Sequence, residues 1–404
     1  MATPSLYRRD PDDEIRLAAH PSGGRALRIA FLIDRLNHAG AAQQLVMLAK
    51  ALRDAGHSVV VIVFYDDSPL EADLRRSGVP VRTLGKQGRW DTLGFVRRLV
   101  SVVEQERPDV LHSYLGVPNL LAVVLKPLLP PVKIVWAVRA SDIRMQWYGW
   151  IPRMLDGLAP LLSCVPDLII ANSVAGQRHA VARGYPALKV VVVSNGIDTG
   201  RFAPCFDART RFRHRWRIGA HDKLVGLVGR LDPIKDHATF LRAARMLTAA
   251  RSDVRFACVG DGPDGYTIKL QRLAANLGLG DRIVWVPNQT DMNEVYNGLD
   301  VLCSTSLSEG FPNVVAEAMA CGVPCVVTGV GDSARVVGRY GVAIPARDAQ
   351  ALADGIHAVL QTPVREIARI AGARRAWIAS QFSLDRLLQA SERALGSLLD
   401  APAP

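Results

Sequence analysis

The feature that most constrains the fold is a repeated alternation of short, apolar, β-branched segments with longer helical segments. Seven strand-like runs occupy the first half, from LRIAFLI to KVVVVS, and five more follow, from KLVGLVG to PCVVTG. Continuous apolar strands are buried on both faces, and strands joined by helical crossovers run parallel. The alternation therefore predicts an α/β chain with two Rossmann-like parallel-sheet domains in series.

The boundary between the two domains is predicted at SNGIDTGRFAPCFD, a segment rich in glycine, proline, asparagine and aspartate. A chain of 404 residues also exceeds what one hydrophobic core usually organises. We expect a loose tail over residues 1–25, which lacks the apolar core of a signal peptide. The first domain then covers 26–198, the second covers 199–382, and a C-terminal helix over 383–404 can pack back on the first domain.

Charge and cysteine content limit the partners and the compartment. The net charge of +11 is spread over both halves with no dense basic block, so nucleic-acid binding is not predicted. An anionic small ligand or an anionic membrane surface accounts for the excess more economically. The six cysteines show no paired metal-ligand spacing and indicate buried thiols in the cytoplasm.

In open parallel sheets, ligands bind beyond the carboxyl ends of the strands, so polar residues after strands are candidates. In the first domain, Gly40 precedes a helix and lets backbone N–H groups approach a phosphate, unless it is a plain turn glycine. His112 in HSYLG is expected where a strand end enters the cleft, as a catalytic or a structural histidine. Arg139 and Asp142 in VRASD follow the next strand, where they bind on the acceptor side or pair with each other.

The second domain opens with LVGLVGRLDPIKD, a strand followed by a short cationic loop. Gly229 ends the strand, and Arg230 and Lys235 follow before a helix. Two cations beside a helix start suit a diphosphate, the guanidinium by its planar fork and the ammonium as a point charge. The alternative is two exposed loop cations with no ligand.

The segment EGFPNVVAE places Glu309 before, and Glu317 inside, a helix that begins near Pro312. The free N–H groups near Asn313 and Val314, together with the helix dipole, favour an anion. A carboxylate accepts hydrogen bonds from two neighbouring hydroxyl groups, which suits a sugar at the first glutamate and a ribose at the second. The segment therefore predicts a nucleotide-sugar site, with a solvated loop and an ordinary surface helix as the alternative.

Taken together, these motifs resemble the retaining glycosyltransferases of family 4, which have the GT-B fold. The resemblance rests on GRLDPIKD, SNGID and EGFPNVVAEAMACGVPCVVTGVGDSA and covers the chain after the N-terminal tail. It implies that Arg230 and Lys235 hold the donor diphosphate. It further implies that Glu309 contacts the transferred sugar and that Glu317 contacts the nucleotide ribose.

Other positions enter through the same resemblance. His112 matches the first-domain histidine that lines the sugar and acceptor region, and Phe311 lies in the matched donor-binding motif. Two departures stand out. The first-domain glycine loop reads HAGAAQQ, with Gly40 as its only glycine, and Asp332 in VGDSARVVG stands where the family often has a glutamate.

The expected activity is hexosyl transfer with retention from a nucleotide-diphosphate sugar to a saccharide, typically a lipid-linked one in envelope polysaccharide or exopolysaccharide synthesis. Catalysis would rest on positioning and on stabilising the departing diphosphate, with no cofactor and no essential metal. A dinucleotide-dependent oxidoreductase is a second hypothesis, although the full G-x-G-x-x-G fingerprint is missing. A non-catalytic sugar-nucleotide-binding protein on the same fold is a third.

Two first-domain segments combine arginines with aromatic residues and leucines: GRWDTLGFVRRLVSVV and RMQWYGWIPRMLDGLAPLL. They predict an interfacial face with aromatics at headgroup depth and arginines on anionic lipid. The alternative is that the aromatics pack in the core and the arginines are solvated. The first interpretation places the protein in the cytoplasm, peripherally on the inner face of the cell membrane.

Overall fold

The computed structural model describes residues 25–37, 40–66, 68–88, 91–139 and 150–400, with the backbone alone at 150–153, 155, 364 and 400. The predicted tail thus lies outside the described residues, except for Arg25. The described residues form two separate parallel sheets, one of seven strands and one of six. The α/β class and the pair of Rossmann-like domains expected from the sequence are confirmed.

The first sheet has the strand order β3-β2-β1-β4-β5-β6-β7. Its strands are β1 (Arg28–Ile33), β2 (Ser58–Val63), β3 (Val81–Thr83), β4 (Val110–Tyr114), β5 (Lys133–Val138), β6 (Leu168–Ala171) and β7 (Val190–Val192). The helices that alternate with them are α1 (Gly40–Asp54), α2 (Glu71–Arg76), α3 (Thr92–Glu106), α4 (Gly116–Val124), α5 (Trp150–Leu162) and α6 (Val174–Ala182).

The second sheet has the strand order β10-β9-β8-β11-β12-β13. Its strands are β8 (Lys223–Val228), β9 (Val254–Val259), β10 (Ile283–Val286), β11 (Val301–Ser304), β12 (Cys325–Thr328) and β13 (Val342–Ile344). Its helices are α7 (Phe206–Arg215), α8 (His237–Ala250), α9 (Asp264–Asn276), α10 (Met292–Gly298), α11 (Asn313–Ala320), α12 (Ser333–Val337) and α13 (Ala349–Leu360).

Two helices complete the chain and connect the sheets, α14 (Val364–Phe382) and α15 (Leu384–Asp400). Helix α14 packs on α11, whereas α15 packs on α1 and buries Leu387 and Leu395 in the core of the first sheet. The Ile197 N–H donates to the Phe382 carbonyl at 2.7 Å. The chain therefore passes between the domains twice at neighbouring points.

Burial explains why these segments are strands. In β1 and β2 every residue after the first is buried, because helices cover both faces of the sheet. All twelve strand-like runs identified in the sequence form strands. The edge strand β13 was not predicted, because it has only three residues and just one of them is buried.

The strand order reverses at the same place in both sheets, between β1 and β4 and between β8 and β11. This switch point leaves a crevice beyond the carboxyl ends of the two central strands. All six cysteines are free, and four of them are buried. In the part of the chain described, no helix has both the length and the apolar character needed to cross a bilayer.

Candidate active site

The loops that follow β8 and β11 meet at the switch point of the second sheet. The Thr305 hydroxyl donates to the Lys235 carbonyl at 2.7 Å and holds the two loops together. The Lys235 ammonium pairs with Oε1 of Glu309, and the Ser306 hydroxyl donates to the same oxygen at 2.6 Å. The cation predicted for the diphosphate and the carboxylate predicted for the sugar thus form one ion pair.

Arg230 lies on the same loop and is far more exposed. Its side chain is 71% exposed, with Nη2 at 3.2 Å from Oδ2 of Asp232. Gly229, just before it, has a φ of +153°, and a Cβ on Gly260 would lie 2.3 Å from the Gly229 carbonyl oxygen. Two glycines therefore let the backbones pass closely here and direct Arg230 toward solvent, where an anion can reach it.

The loop from Glu309 to Pro312 is clamped from both sides. A Cβ on Gly331 would lie 2.1 Å from the Glu309 carbonyl oxygen, and Gly331 has a φ of +57°, so only glycine fits. On the other side, a Cβ on Gly310 would lie 3.0 Å from Oδ1 of Asn172 in the first domain. The position of Glu309 is therefore fixed by contacts with both domains.

The first turn of α11 follows the Glu309 loop directly, but the N–H of Asn313, predicted to be free for an anion, is already bonded. Asn313 and Val314 are its first two residues, and the Asn313 N–H donates to the Phe311 carbonyl at 3.1 Å. The Phe311 ring is 5% exposed and packs edge-on against Phe382 at 5.2 Å. The ring anchors the loop in the core and is not available to a ligand.

Glu317 lies in the second turn of α11, where the Tyr296 hydroxyl donates to its Oε2 at 2.5 Å. Burial raises the pKa of Glu317 above its ordinary value, and the Tyr296 hydroxyl and the positive charge of Arg201 partly offset that rise. The carboxylate is thus oriented by the protein through one oxygen. The other oxygen is the one suited to a ligand hydroxyl.

The position of His112 differs from the expectation. The sequence placed it at a strand end entering the cleft, but it is the middle residue of β4 and is 1% exposed. Its ring packs against Phe31 and Tyr114, with centroids at 5.3 and 4.8 Å, and neither ring nitrogen has a hydrogen-bond partner. Burial and the charge of Arg139 hold the pKa of His112 well below its ordinary value, so the ring is neutral.

The residue at the end of β4 is Tyr114, and it begins a chain of hydrogen bonds between the domains. Arg139 donates from Nη2 to the Tyr114 hydroxyl at 2.6 Å and from Nη1 to Oδ1 of Asn195 at 2.8 Å. Nδ2 of Asn195 then donates to Oδ1 of Asn313 at 2.8 Å. The first domain thereby reaches the first residue of α11.

Gly40 meets the same point from α1. A Cβ on Gly40 would lie 2.9 Å from Nδ2 of Asn313, so the glycine leaves room for that side chain. Just beyond Tyr114, Leu115 has a φ of +73°, a strained value for a leucine of the kind that clusters at functional sites. Asp142, the second acceptor-side candidate, lies outside the described residues.

Asp332 has a contact that the sequence did not suggest. Its carboxylate accepts hydrogen bonds from the N–H groups of Val174 and Ala175, at 3.1 and 2.9 Å, in the first turn of α6 in the other domain. Arg335 pairs with the same carboxylate at 3.2 Å. Asp332 therefore caps a helix across the domain boundary.

Several residues of this region escaped prediction, among them Tyr114, Asn195 and Tyr296. Tyr114 and Asn195 lie in two motifs quoted above, HSYLG and SNGID. The end of a predicted strand could have marked Tyr114, and the glycine-containing segment at the domain boundary could have marked Asn195. Nothing in the sequence marks Tyr296. Among the described residues, no three His, Cys, Asp or Glu side chains come together as a metal site.

Known families match both halves of the chain. Residues 38–201 match the Glycosyltransferase Family 4 model, and residues 222–362 match the model for Glycosyl transferases group 1. The D-inositol 3-phosphate glycosyltransferase of Mycolicibacterium smegmatis is 30% identical over 300 residues, which are 71% of this chain and 68% of that protein. The chain belongs to glycosyltransferase family 4.

The enzyme is also 32% identical over 235 residues to the protein of the same name from Mycobacteroides abscessus. That match covers 57% of this chain and 52% of the relative, so this chain spans about half of the relative's length. The transferase class expected from the motifs is confirmed by these relatives. The oxidoreductase hypothesis is set aside by the family membership.

Solved structures share the fold of the glycosyltransferase. HepE of Anabaena, in a crystal structure with UDP-glucose, aligns with a TM-score of 0.80 and 23% identity over 92% of this chain and 100% of that one. WaaG, a glycosyltransferase involved in lipopolysaccharide biosynthesis, aligns with a TM-score of 0.68 and 15% identity over 90% and 98% of the two chains. The GT-B architecture is therefore confirmed.

Proposed function

We propose that the enzyme transfers a hexosyl group, with retention of anomeric configuration, from a nucleoside diphosphate sugar to a saccharide acceptor. The observation that carries this proposal is the Lys235–Glu309 ion pair beside the first turn of α11. A carboxylate there accepts hydroxyl groups of a sugar, while the ammonium and the helix start attract phosphate. These groups match one ligand that carries a sugar and a diphosphate.

Lys235 and Arg230 would both contact the diphosphate, each in a different way. Arg230 is exposed and has Asp232 as its ion partner, so a phosphate can recruit it at low cost. Lys235 is held by Glu309, and its charge also offsets that of the carboxylate. Glu317, oriented by Tyr296, would receive the ribose hydroxyls. The solved structures of HepE with UDP and UDP-glucose support a donor of this class.

Retention would follow from the acceptor attacking on the face that the nucleotide leaves. Catalysis then consists of positioning the acceptor and stabilising the departing diphosphate, with no covalent chemistry by the protein and no essential metal. His112 would contribute to transfer more than to nucleotide binding, because it belongs to the domain opposite the loops that follow β8 and β11, here called the donor loops. Its neutral ring lies beneath Tyr114 in the strand, so its role would be to position that residue.

The first experiment is a thermal-shift screen with UDP, GDP, ADP and CMP sugars. A ligand at 100 times its dissociation constant stabilises a protein by about 2.7 kcal/mol, which such a screen detects. Turnover of the stabilising donor is then followed by NMR, which reads the anomeric configuration of the product. An inverted product would refute retention, and turnover abolished by a chelator and restored by Mn²⁺ would refute metal independence.

No stabilisation and no turnover with any donor, across saccharide and lipid-linked acceptors, would favour a non-catalytic binding protein instead. His112→Ala tests the histidine within the same assay. We expect slower transfer with unchanged nucleoside diphosphate affinity. A normal transfer rate would leave His112 as a core residue only.

We further propose that the acceptor is lipid-linked and that the enzyme acts peripherally on the inner face of the cell membrane, in envelope polysaccharide or exopolysaccharide synthesis. Support comes from exposed apolar residues on α4, on α5, which packs on α4, and on the turn after α4; together they are here called the α4–α5 face. It comprises Leu115, Val117, Val124, Leu128, Met154, Leu158 and Leu161, each between 38% and 73% exposed. The face begins directly beyond β4, beside the crevice, where a membrane-held acceptor would arrive.

The arginines expected to assist lipid binding contribute less than the sequence suggested. Arg98 donates to the Leu84 carbonyl at 2.6 Å and pairs with Asp91, so its charge is already compensated. Arg89, Trp90 and residues 140–149 lie outside the described residues. The apolar face is therefore the stronger support for membrane attachment.

Sedimentation with liposomes tests the membrane proposal. We expect Val124→Ser with Leu128→Ser to weaken binding to vesicles that contain anionic lipid, whereas Leu188→Ser, at a fully exposed leucine outside this face, leaves it unchanged. High salt should weaken the part of the vesicle binding that depends on charge. Absence of lipid binding in the wild type, with efficient transfer to a soluble sugar, would refute it. The soluble acceptors tested should include inositol phosphate, because the relative from Mycolicibacterium smegmatis is named a D-inositol 3-phosphate glycosyltransferase.

A further inference from the structure

A cavity separate from the crevice lies at the edge of the second sheet opposite the donor loops. Its volume is about 350 Å³, and it is formed at the amino ends of β12 and β13, with α14 as one wall. The donor loops follow the carboxyl ends of β8 and β11, so the length of the strands separates the two places. This cavity is therefore not part of the crevice between the domains.

The cavity combines three arginines with an apolar wall. Arg339, Arg369 and Arg374 line it together with Tyr340, Val342 and Ile370, and no aspartate or glutamate is among the described residues that line it. The carboxylate that comes closest to these guanidinium groups among the described ion pairs is Glu366. It lies 3.8 Å from Arg369, and both side chains are well exposed.

Arg374 is the unusual member, because it is 8% exposed and has no carboxylate partner among the described ion pairs. Its Nε donates to the Tyr340 carbonyl at 3.0 Å, and Nη1 donates to the Gly322 carbonyl at 3.4 Å. Burial lowers the pKa of Arg374, although the group stays charged at any physiological pH. A charge removed from water is normally paired with an opposite charge, and the partners of Arg374 among the described residues are two carbonyl dipoles.

The neighbouring arginine is held in place by Tyr340. Arg339 donates from Nη2 to the Tyr340 hydroxyl at 2.8 Å, and its guanidinium lies 5.0 Å from the ring centroid. Tyr340 packs in turn against Trp377, with centroids at 6.0 Å. The guanidinium of Arg339 is thus fixed by Tyr340, and that of Arg374 is fixed by two backbone carbonyls. Two cationic groups held in place in this way are preorganised to bind an anion.

We propose that this cavity binds a soluble organic anion. Its phosphate or carboxylate group would lie among the three guanidinium groups, and its apolar portion would lie against Val342 and Ile370. The site is independent of the donor proposal, since it shares no residue with the donor loops. Helix α11 connects the two places, because it begins at Asn313 beside Glu309 and is followed by Gly322, whose carbonyl accepts from Arg374.

Isothermal titration of the full chain with phenyl phosphate and with benzoate tests the proposal. Both probes carry an aromatic body, and the tighter one identifies the preferred head group. We expect the double variant Arg339→Gln with Arg369→Gln to bind the tighter probe about tenfold more weakly, since each exposed arginine contributes one charge-assisted hydrogen bond. These two arginines are exposed, so the variant should fold normally.

Two controls locate the binding. Arg365→Gln removes an exposed arginine of the same helix that does not line the cavity and should bind as the wild type does. Arg230→Gln removes the exposed cation of the donor loop and should also bind normally. The proposal is overturned if neither probe binds, if binding is lost only in Arg230→Gln, if Arg365→Gln weakens it equally, or if benzyl alcohol binds as tightly as the anions.

Discussion

The two domains have the same strand order and the same switch point, but their crevice edges differ in chemistry. In the second domain the edge carries Arg230, Lys235 and Glu309, which are held in ion pairs, Arg230 with Asp232 and Lys235 with Glu309. In the first domain the edge carries Tyr114 and Arg139, which are bonded to neutral protein groups. The shared topology decides where a ligand can lie, and the loops after the strands decide which ligand it is.

One feature is common to both domains. Each has a buried histidine with no hydrogen-bond partner on either ring nitrogen, His112 on β4 and His237 at the start of α8. Burial lowers both pKa values, and a neighbouring cation lowers them further, Arg139 in one domain and Lys235 in the other. The cations beside the crevice are thus accompanied by histidines that add no further charge.

The sharpest test of the difference between the domains is Glu309→Gln. We expect kcat to fall by about 10²–10³-fold, because the variant loses the charged acceptor placed for the transferred sugar and leaves Lys235 unpaired. Nucleoside diphosphate affinity should stay nearly unchanged. Initial rates with saturating donor, together with calorimetry of the nucleotide, measure the two effects.

Asp354→Asn, at an exposed carboxylate on α13, is the matched control and should leave kcat unchanged. If Glu309→Gln and Glu317→Gln lost nucleoside diphosphate affinity equally, the division between a sugar glutamate and a ribose glutamate would be wrong.

His237 makes stability depend on pH. Its pKa is lowered from 6.5 to about 4 in the folded protein, so the unfolded chain binds a proton more readily. The stability this group contributes is complete above about pH 6.5 and is lost as the pH falls toward about 4, by about 2–3 kcal/mol at pH 4.5. Urea unfolding at pH 7 and pH 4.5 should therefore show a smaller acid loss in His237→Gln than in the wild type.

His221→Gln, at an exposed histidine, should keep the full acid loss of the wild type. Equal acid losses in the wild type and His237→Gln would mean that the ring is not buried in its neutral form. The same experiment on His112→Gln extends the comparison to the first domain, where the direction should be the same.

Glu317→Ala should weaken nucleoside diphosphate binding by about 1.5–3 kcal/mol, the range for a hydrogen bond to a charged group. Calorimetry with the preferred nucleotide measures it. Tyr296→Phe is the companion variant: it keeps the carboxylate but removes the hydroxyl that orients it, so the loss should be smaller. Unchanged affinity in Glu317→Ala would remove this residue from the donor site.

The contact between the domains at Asp332 should have the smallest effect. Asp332→Asn weakens the cap on α6, and we expect about 1 kcal/mol of destabilisation, seen as a lower Tm. Arg335→Gln removes the exposed partner of the same carboxylate and should change stability by less than about 0.5 kcal/mol. A larger loss in Arg335→Gln than in Asp332→Asn would show that the ion pair, and not the cap, joins the domains.

The sequence by itself determined the class of fold, the two-domain organisation and the position of the loops that we propose bind the donor. Buried parallel strands appear in the sequence as continuous apolar runs, and the residues proposed to bind the donor lie within two short segments, GRLDPIKD and EGFPNVVAE. Local sequence is informative there because each loop follows its own strand directly. Arg230, Lys235, Glu309 and Glu317 accordingly lie on the elements where the motifs put them.

Only the tertiary structure decided what lies opposite those loops. Asn195 meets Asn313 across 118 residues of chain, and Asp332 meets α6 across 157, so no local pattern records either contact. His112 was misplaced for a related reason: whether a strand ends at Ser113 or Tyr114 depends on its pairing with β5, which continues to Tyr114. Pairing partners are fixed by packing of the whole sheet, and β4 is buried along its full length, so the depth of His112 is decided by contacts that lie far away in the sequence.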